Sequence, residues 1–307
     1  MKKKAAFTVC VCLMAMLLLC SCGRPTALGI LKDMASAYGK TSSFEGTADM
    51  ELVLDVGTSA LGTGVNLELT SDTETDIQGA GNVYHIQGTT TVGVGSFGSS
   101  GVEIDCYTVT DDTQTTVYTK TGDKWTKHSA GAQETAAEAS GSGGIADIFK
   151  ALAAADMSLR DETEMYNGRE VYVIDLTLGG DAVKLLARAG LESAVSGLFG
   201  ENTQLDMSDV NAAVVLKVYK DTKLPAELEM DLGNSLQGAL DAAAEKLSGS
   251  ISAVIDLDVS MEIKAHTITI CFGDYNTIDS IDLPEEVYSA EESSGISGGG
   301  LLDSVFS

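Results

Sequence analysis

The chain has 307 residues, with 45 Asp and Glu against 19 Lys and Arg, a formal net charge of −26 at pH 7. Such acidity argues against nucleic acid as a partner, because its phosphates would be repelled, and against broad contact with anionic lipid head groups. The length is enough for a sizeable core, as one large β-rich domain or two small ones.

At the N-terminus, Lys2, Lys3 and Lys4 precede an apolar run from Ala5 to Leu19 that only Thr8 interrupts. The run is shorter than the about 20 residues that a membrane span needs. A basic start and a short apolar core are the pattern of an export signal. The run ends in Leu19-Cys20-Ser21-Cys22-Gly23, a bulky residue and two small ones before a cysteine, which looks like a lipobox. Cys22 fits as the lipidated residue because small Ser21 precedes it, whereas Cys20 follows bulky Leu19. The expectation is a signal peptide over 1–21, a lipidated tether over 22–26, and a protein anchored to the outer face of the cell membrane. A diacylglyceryl cysteine carries two acyl chains, which anchor stably where one would not. Beyond Cys22 the mature chain keeps Cys106 and Cys271. They either pair outside the cell or, as the preferred reading, pack separately as small hydrophobes.

Leu28, Leu31, Met34, Ala35 and Tyr38 recur at helical spacing, and Gly39 can end that helix. Ala48, Met50, Leu52, Leu54 and Val56 then alternate with Asp49, Glu51 and Asp55, the mark of an antiparallel strand packed on one side. Further strands are expected near 65–77, 82–94, 101–110, 114–120 and 124–128, separated by Gly, Asn and Asp turns. Strands run straight into strands, so hairpins are predicted rather than βαβ units. Residues 130–144, rich in Gly, Ala, Ser and Glu, read as a loop inside the domain. Ile145, Ile148, Phe149 and Leu152 mark a short helix, and Tyr172, Ile174, Leu176 and Leu178 another strand.

From about Asp181 to Phe199 an apolar stripe mixes with small residues, Gly190 and Gly197 among them. A helix built only for rigid packing gains nothing from glycines, which cost about 1 kcal/mol each against Ala. One reading is a mobile helix over the open side of the sheet, hinged at Gly179-Gly180 and Gly200, with Leu185, Leu191, Val195, Leu198 and Phe199 touching a ligand. A permanently packed core helix stands beside it. Val214, Leu216 and Val218 lead through Lys220-Asp221-Thr222-Lys223-Leu224-Pro225 into a return strand of Ala226, Leu228, Met230 and Leu232. Leu236, Leu240, Ala243 and Leu247 form a helix capped at Asn234 or Ser235 and closed by Gly249. Ala253 to Ile263 are apolar at odd numbers, but Ile268, Ile270 and Phe272 at even ones, so a β-bulge is expected near Ala265–Thr267. Residues 289–307 read as a disordered tail rich in Ser, Gly and Glu.

The sum is α+β: a single large antiparallel sheet, which the resemblance below implies is curled, with about four helices on its apolar face, and acidic residues on the face left in water. The order of elements is then familiar. "SFEGTADMEL", "VYTKTGDKWTKHS", "NGREVYVIDLTL", "VVLKVYKDTKLPAELEMDL" and "ITICFGDYNTIDSIDLPEEV" resemble the LolA-like half-barrel superfamily, which includes the LppX/LprG lipoproteins, and especially its Gram-positive lipoprotein branch. The resemblance covers about residues 26 to 288, and a single domain over 27–288 is expected. It implies a half-barrel whose helices lie on the concave apolar face around a cavity for acyl chains or lipidated proteins.

No catalytic residue, cofactor or metal site is expected. His85, His128 and His266 sit in separate strand-like segments without ligand spacing, and each reads as a surface or structural histidine. There is no GxSxG elbow, no Walker lysine and no GxGxxG before a helix. Asp256 and Asp258 share a strand face but lack the Gly turn and Glu of an EF-hand. Trp125 beside the Gly122-Asp123 turn is either a pocket-mouth residue or core. The expected function is therefore a non-catalytic, membrane-anchored lipoprotein that binds a lipid or other apolar ligand. The alternative is an anchored acidic scaffold with a packed interior, and an envelope hydrolase is the third and least supported reading.

Overall fold

The computed structural model describes residues 25–60, 63–111, 114–131, 152, 155–179, 183, 210–251 and 257–292. The first helix, α1 (Ala27–Tyr38), starts where the Thr26 hydroxyl accepts a hydrogen bond from the Gly29 N–H at 3.1 Å. It buries Ile30, Leu31 and Met34 on one face, and Gly39 follows its last turn as the spacing predicts.

Five hairpin-linked strands follow: β1 (Ser43–Ala60), β2 (Thr63–Ala80), β3 (Val83–Val94), β4 (Ser99–Thr110) and β5 (Gln114–Thr121), with β6 (Lys124–Gly131) closing that wing. The other wing holds β7 (Asp156–Leu159), β8 (Glu164–Tyr166), β9 (Arg169–Leu178), β10 (Ala212–Tyr219) and β11 (Pro225–Asp231). The long β12 (Leu257–Tyr275) pairs with β1 along nearly its whole length, and the two-residue β13 (Glu291–Glu292) pairs with β6. All thirteen strands belong to one sheet, ordered β13-β6-β5-β4-β3-β2-β1-β12-β11-β10-β9-β7, with β8 on β9. Every pairing is antiparallel except β13 with β6. The first and last long strands thus meet at the centre of the sheet.

Two glycines admit a close approach of neighbouring strand backbone. A Cβ on Gly46 would sit 2.5 Å from the Cys271 carbonyl oxygen, and one on Gly88 would overlap the carbonyl of Glu74. At both positions the neighbouring backbone comes too close for a Cβ, so only glycine fits.

Cross-strand partners share a face, so the register sorts the side chains. Leu54 stands between Leu69 and Ile263, and Leu52 between Ser71 and His266. The same face continues through Ile268, Met230, Val214 and Leu176. Leu52, Leu54, Ile174, Leu228 and Met230 all lie in one core with α1, and Val259 packs against it. Asp49, Glu51 and Glu229 are on the opposite, outer face, as the alternation predicts. The bulge falls one residue before the expected stretch: Leu54 pairs with Ile263 and Val53 with Ala265, leaving Lys264 as the extra residue. Lys264 turns outward to Glu262 (2.7 Å) and Asp55 (3.6 Å). That slip carries His266 and Ile268 to the inside.

The second helix, α2 (Gly233–Ile251), begins one residue before the expected caps. There the Asp231 carboxylate accepts from the Gly233 N–H at 3.0 Å. It also runs past Gly249 to Ile251 rather than ending there. It lies along β12 beyond the reach of β11 and satisfies the exposed strand edge. Gln237 donates to the Met261 carbonyl at 2.7 Å and accepts from the Ile263 N–H at 2.9 Å, while Ser248 accepts from Val259 at 2.8 Å. An amide side chain here stands in for a missing strand.

Among the described residues there are two α-helices, fewer than the four expected. The segments read as the other two, near 145–152 and 181–199, lie outside the described residues apart from Leu152 and Val183, which are helical and fully buried. Residues beyond Tyr275 cross the outer face of β3–β6. Ile281, Leu283, Val287 and Ala290 pack there on Trp125, Tyr107, Tyr118 and Val83. Ordered chain therefore continues past 288, through a 3-10 turn (Glu285–Ser289) to β13.

Candidate functional site: the concave face

The inner face divides into two unequal halves. Under α1 and α2 it is closed: Ile174, Leu178, Leu216 and Val218 have no exposure, nor have Leu236 and Leu240 of α2. On β2, β3 and β4 the same face continues with Leu67, Leu69, Ile77, Ile86, Val102 and Ile104, all half-buried. Between them lie small and hydroxyl-bearing residues, Ser71, Thr73, Thr75, Gly88 and Thr90. The Thr73 and Thr90 hydroxyls are hydrogen-bonded at 2.9 Å, and Thr75 donates to the Ala48 carbonyl at 3.0 Å. This row of side chains forms an apolar trough with polar atoms tied back to the sheet.

Charge is partitioned across the sheet. In β1 and β2 the carboxylates Asp49, Glu51 and Asp55 pair directly with Glu74, Asp72 and Glu68, all on the outer face. Like charges placed opposite one another destabilise a sheet, yet no carboxylate of β1–β5 is in phase with the inner face. Among the described residues Lys124, Glu170 and Glu291, all exposed, are charged and in phase with it.

Among the described inner-face groups, His266 is buried, at 1 % exposure, without a hydrogen-bond partner for either ring nitrogen. It lies opposite Leu52, and its carbonyl accepts from Leu232 at 2.8 Å, just before α2. Burial pushes its pKa down from 6.5 to about 4, against the nearby Asp231 carboxylate, which pulls the other way. The imidazole is therefore neutral near pH 7. Of the surface and structural readings, the surface one does not fit His266, whose burial was legible only through the phase slip that sets 266, 268, 270 and 272 on one face.

His85 is outside, stacked on Tyr107 at 4.1 Å between centroids and hydrogen-bonded to Asp105 at 3.0 Å. His128 is opposite Val117 on the inner face, so the three histidines stand apart. Among the described residues no group of three or more His, Cys, Asp or Glu is placed to hold a metal ion. No described helix is long and apolar enough to cross a membrane.

Trp125 faces away from the trough. It pairs across from Lys120 and packs on Tyr107 at 5.7 Å between centroids, beneath the C-terminal segment. Its core reading is the one the structure meets. Cys106 is on the inner face beside Ile86, with burial raising its thiol pKa to about 11. Cys271 pairs with Thr47 and Glu227 on the outer face, so the two thiols are separate and free. Cys22 and the stripe of Leu185, Leu191, Val195, Leu198 and Phe199 lie outside the described residues.

Among solved structures, lipoprotein LppX from Mycobacterium tuberculosis is similar, at 12% identity with a TM-score of 0.39, covering 83% of this chain and 97% of that one. LprF from Mycobacterium bovis matches at 12% and 0.38, covering 84% and 96%. A putative outer membrane lipoprotein-sorting protein domain from Vibrio parahaemolyticus matches at 9% and 0.22, covering 83% and 94%. No curated protein matches the sequence. The pattern of the family of unknown function DUF6612 fits residues 26–292, and the chain belongs to that family.

Proposed function

We propose that this is a non-catalytic lipoprotein, held at the outer face of the membrane through Cys22, that carries an acyl-chain ligand on the concave face of its half-barrel. One observation carries the reading: the inner face is closed under α1 and α2 but continues on β2–β4 as half-buried Leu67, Leu69, Ile77, Ile86, Val102 and Ile104. An apolar surface of this kind inside a curl is where a lipid tail gains most from leaving water. The apolar stripe of Leu185, Leu191, Val195, Leu198 and Phe199 is the further set of contacts that the sequence supports. Native mass spectrometry of the full-length protein extracted from its own host membranes tests this. Bound lipid masses are expected. A clean mass of the lipidated polypeptide alone would favour an acidic scaffold with a filled interior.

A further inference from the structure

Two large apolar side chains are exposed at one end of the sheet, Phe97 at 84 % and Val65 at 62 %. The β1–β2 hairpin turns there, beyond the last β2–β3 pair, Leu69 with Val94. The Gly95–Phe97 turn folds against it, since a Cβ on Gly95 would stand 3.3 Å from Leu67 Cδ1. Phe97 and Val65 therefore share one rim. On its inner side Leu69, Leu67 and Val65 are in one phase, opposite Leu54, Val56 and Thr58, so the apolar row of β2 runs from the trough out to the rim.

The same rim is built from uncharged chain. Residues 56–67 and 88–102 hold only apolar residues, Gly, Ser, Thr and Asn, in a protein of net charge −26. The nearest carboxylates on β1 and β2, Asp55 and Glu68, pair on the outer face, and Asp258 of β12 lies opposite Ser59 on that face. An anionic leaflet repels such an acidic face. It does not repel a rim of glycine and hydroxyl residues, whose exposed apolar side chains gain by leaving water. A lone exposed Phe is ordinary on a surface. Here it stands beside an exposed Val at the outlet of an apolar trough.

We infer that this rim docks on the lipid bilayer, with Phe97 and Val65 entering the interfacial layer, and that lipid passes between leaflet and trough along Val65 and Leu67. The docking stands on the rim itself, and the passage of lipid rests on the apolar-ligand reading above.

The test uses the full-length protein reconstituted in vesicles of phosphatidylcholine and phosphatidylglycerol. Phe97→Trp adds a tryptophan at the rim, and the natural protein, whose Trp125 packs under the C-terminal segment, gives the background. In vesicles whose phosphatidylcholine is brominated on its acyl chains, the added emission should be blue-shifted and quenched, while that of Trp125 is not. Phe97→Asp and Val65→Asp should each slow pickup of pyrene-acyl phosphatidylcholine about tenfold, the worth of an apolar side chain leaving water. Thermal unfolding should stay unchanged in both, because the two side chains are exposed. Added emission that remains unquenched and solvent-like overturns the docking. Quenched emission with unaltered pickup in both Asp variants overturns the passage of lipid along the rim. Absence of pickup by the natural protein overturns lipid carriage instead, and the quenching still decides the docking.

Discussion

Replacing His266 with Leu should make the protein more stable and remove an acid sensitivity. The folded imidazole has a pKa near 4 against an ordinary 6.5, so the fold favours the neutral form. Its contribution is complete above about pH 6.5. As the pH falls from 6.5 towards 4, the unfolded chain takes up the proton first, and stability drops by about 1.4 kcal/mol per pH unit. Between pH 7.0 and 4.5 this amounts to roughly 2 kcal/mol from His266 alone. Leu has no proton to take up and leaves no orphaned ring nitrogens, a gain of about 1 kcal/mol at pH 7. Urea unfolding followed by the fluorescence of Trp125 measures both. Carboxylates titrate in this range too, so the informative quantity is the difference between natural protein and variant at the two pH values. If both lose the same stability between pH 7.0 and 4.5, the buried neutral imidazole is refuted.

Gly88→Ala should lower stability by about 2 kcal/mol or more, because its Cβ would overlap the Glu74 carbonyl. Gly101→Ala, with nothing within 4 Å of its Cβ, should change thermal unfolding little, and equal shifts would contradict the close backbone approach at Gly88. Gln237→Leu should cost about 2 kcal/mol in urea unfolding, since it strands the Met261 carbonyl and the Ile263 N–H at the edge of β12. An unchanged midpoint would mean that α2 does not seal that edge. Cys22→Ala should release the protein from membranes or leave an uncleaved precursor on immunoblots, and a membrane-bound product of mature size would contradict the anchor.

Much of the sheet was legible because its alternation is nearly unbroken. In β1, Leu52, Leu54 and Val56 against Glu51 and Asp55 give the buried face directly, and the turns after Ala80 and Thr121 place the hairpins. The phase change in β12 signalled a bulge to within a residue. It was placed late because Lys264, long and charged, continues the alternation as an outer residue while being the inserted one. Trp125 was ambiguous because a lone aromatic beside a turn carries no face of its own. Its cover comes from Val287 and Ala290, far away in the chain and in a stretch with weak periodicity. The helix boundaries at Gly249 and Asn234 missed for a related reason. Packing along β12 outweighs the local cost of a glycine, and Asp231 caps from outside the helix. The curl came only with the family resemblance, since Gly46 and Gly88 look like any other strand glycine until their neighbours are known.

Differential alkylation of the two native thiols tests most directly whether the inner face, and not the outer, holds the ligand. Cys106 faces the trough beside Ile86, and Cys271 faces outward beside Glu227. The full-length protein is treated with a maleimide at mildly alkaline pH, once loaded with lipid and once delipidated, and each cysteine is followed by peptide mass spectrometry. The predicted result is slower modification of Cys106 in the loaded protein with Cys271 unchanged. Identical rates at Cys106 in both states, or protection confined to Cys271, would contradict a ligand in the half-barrel.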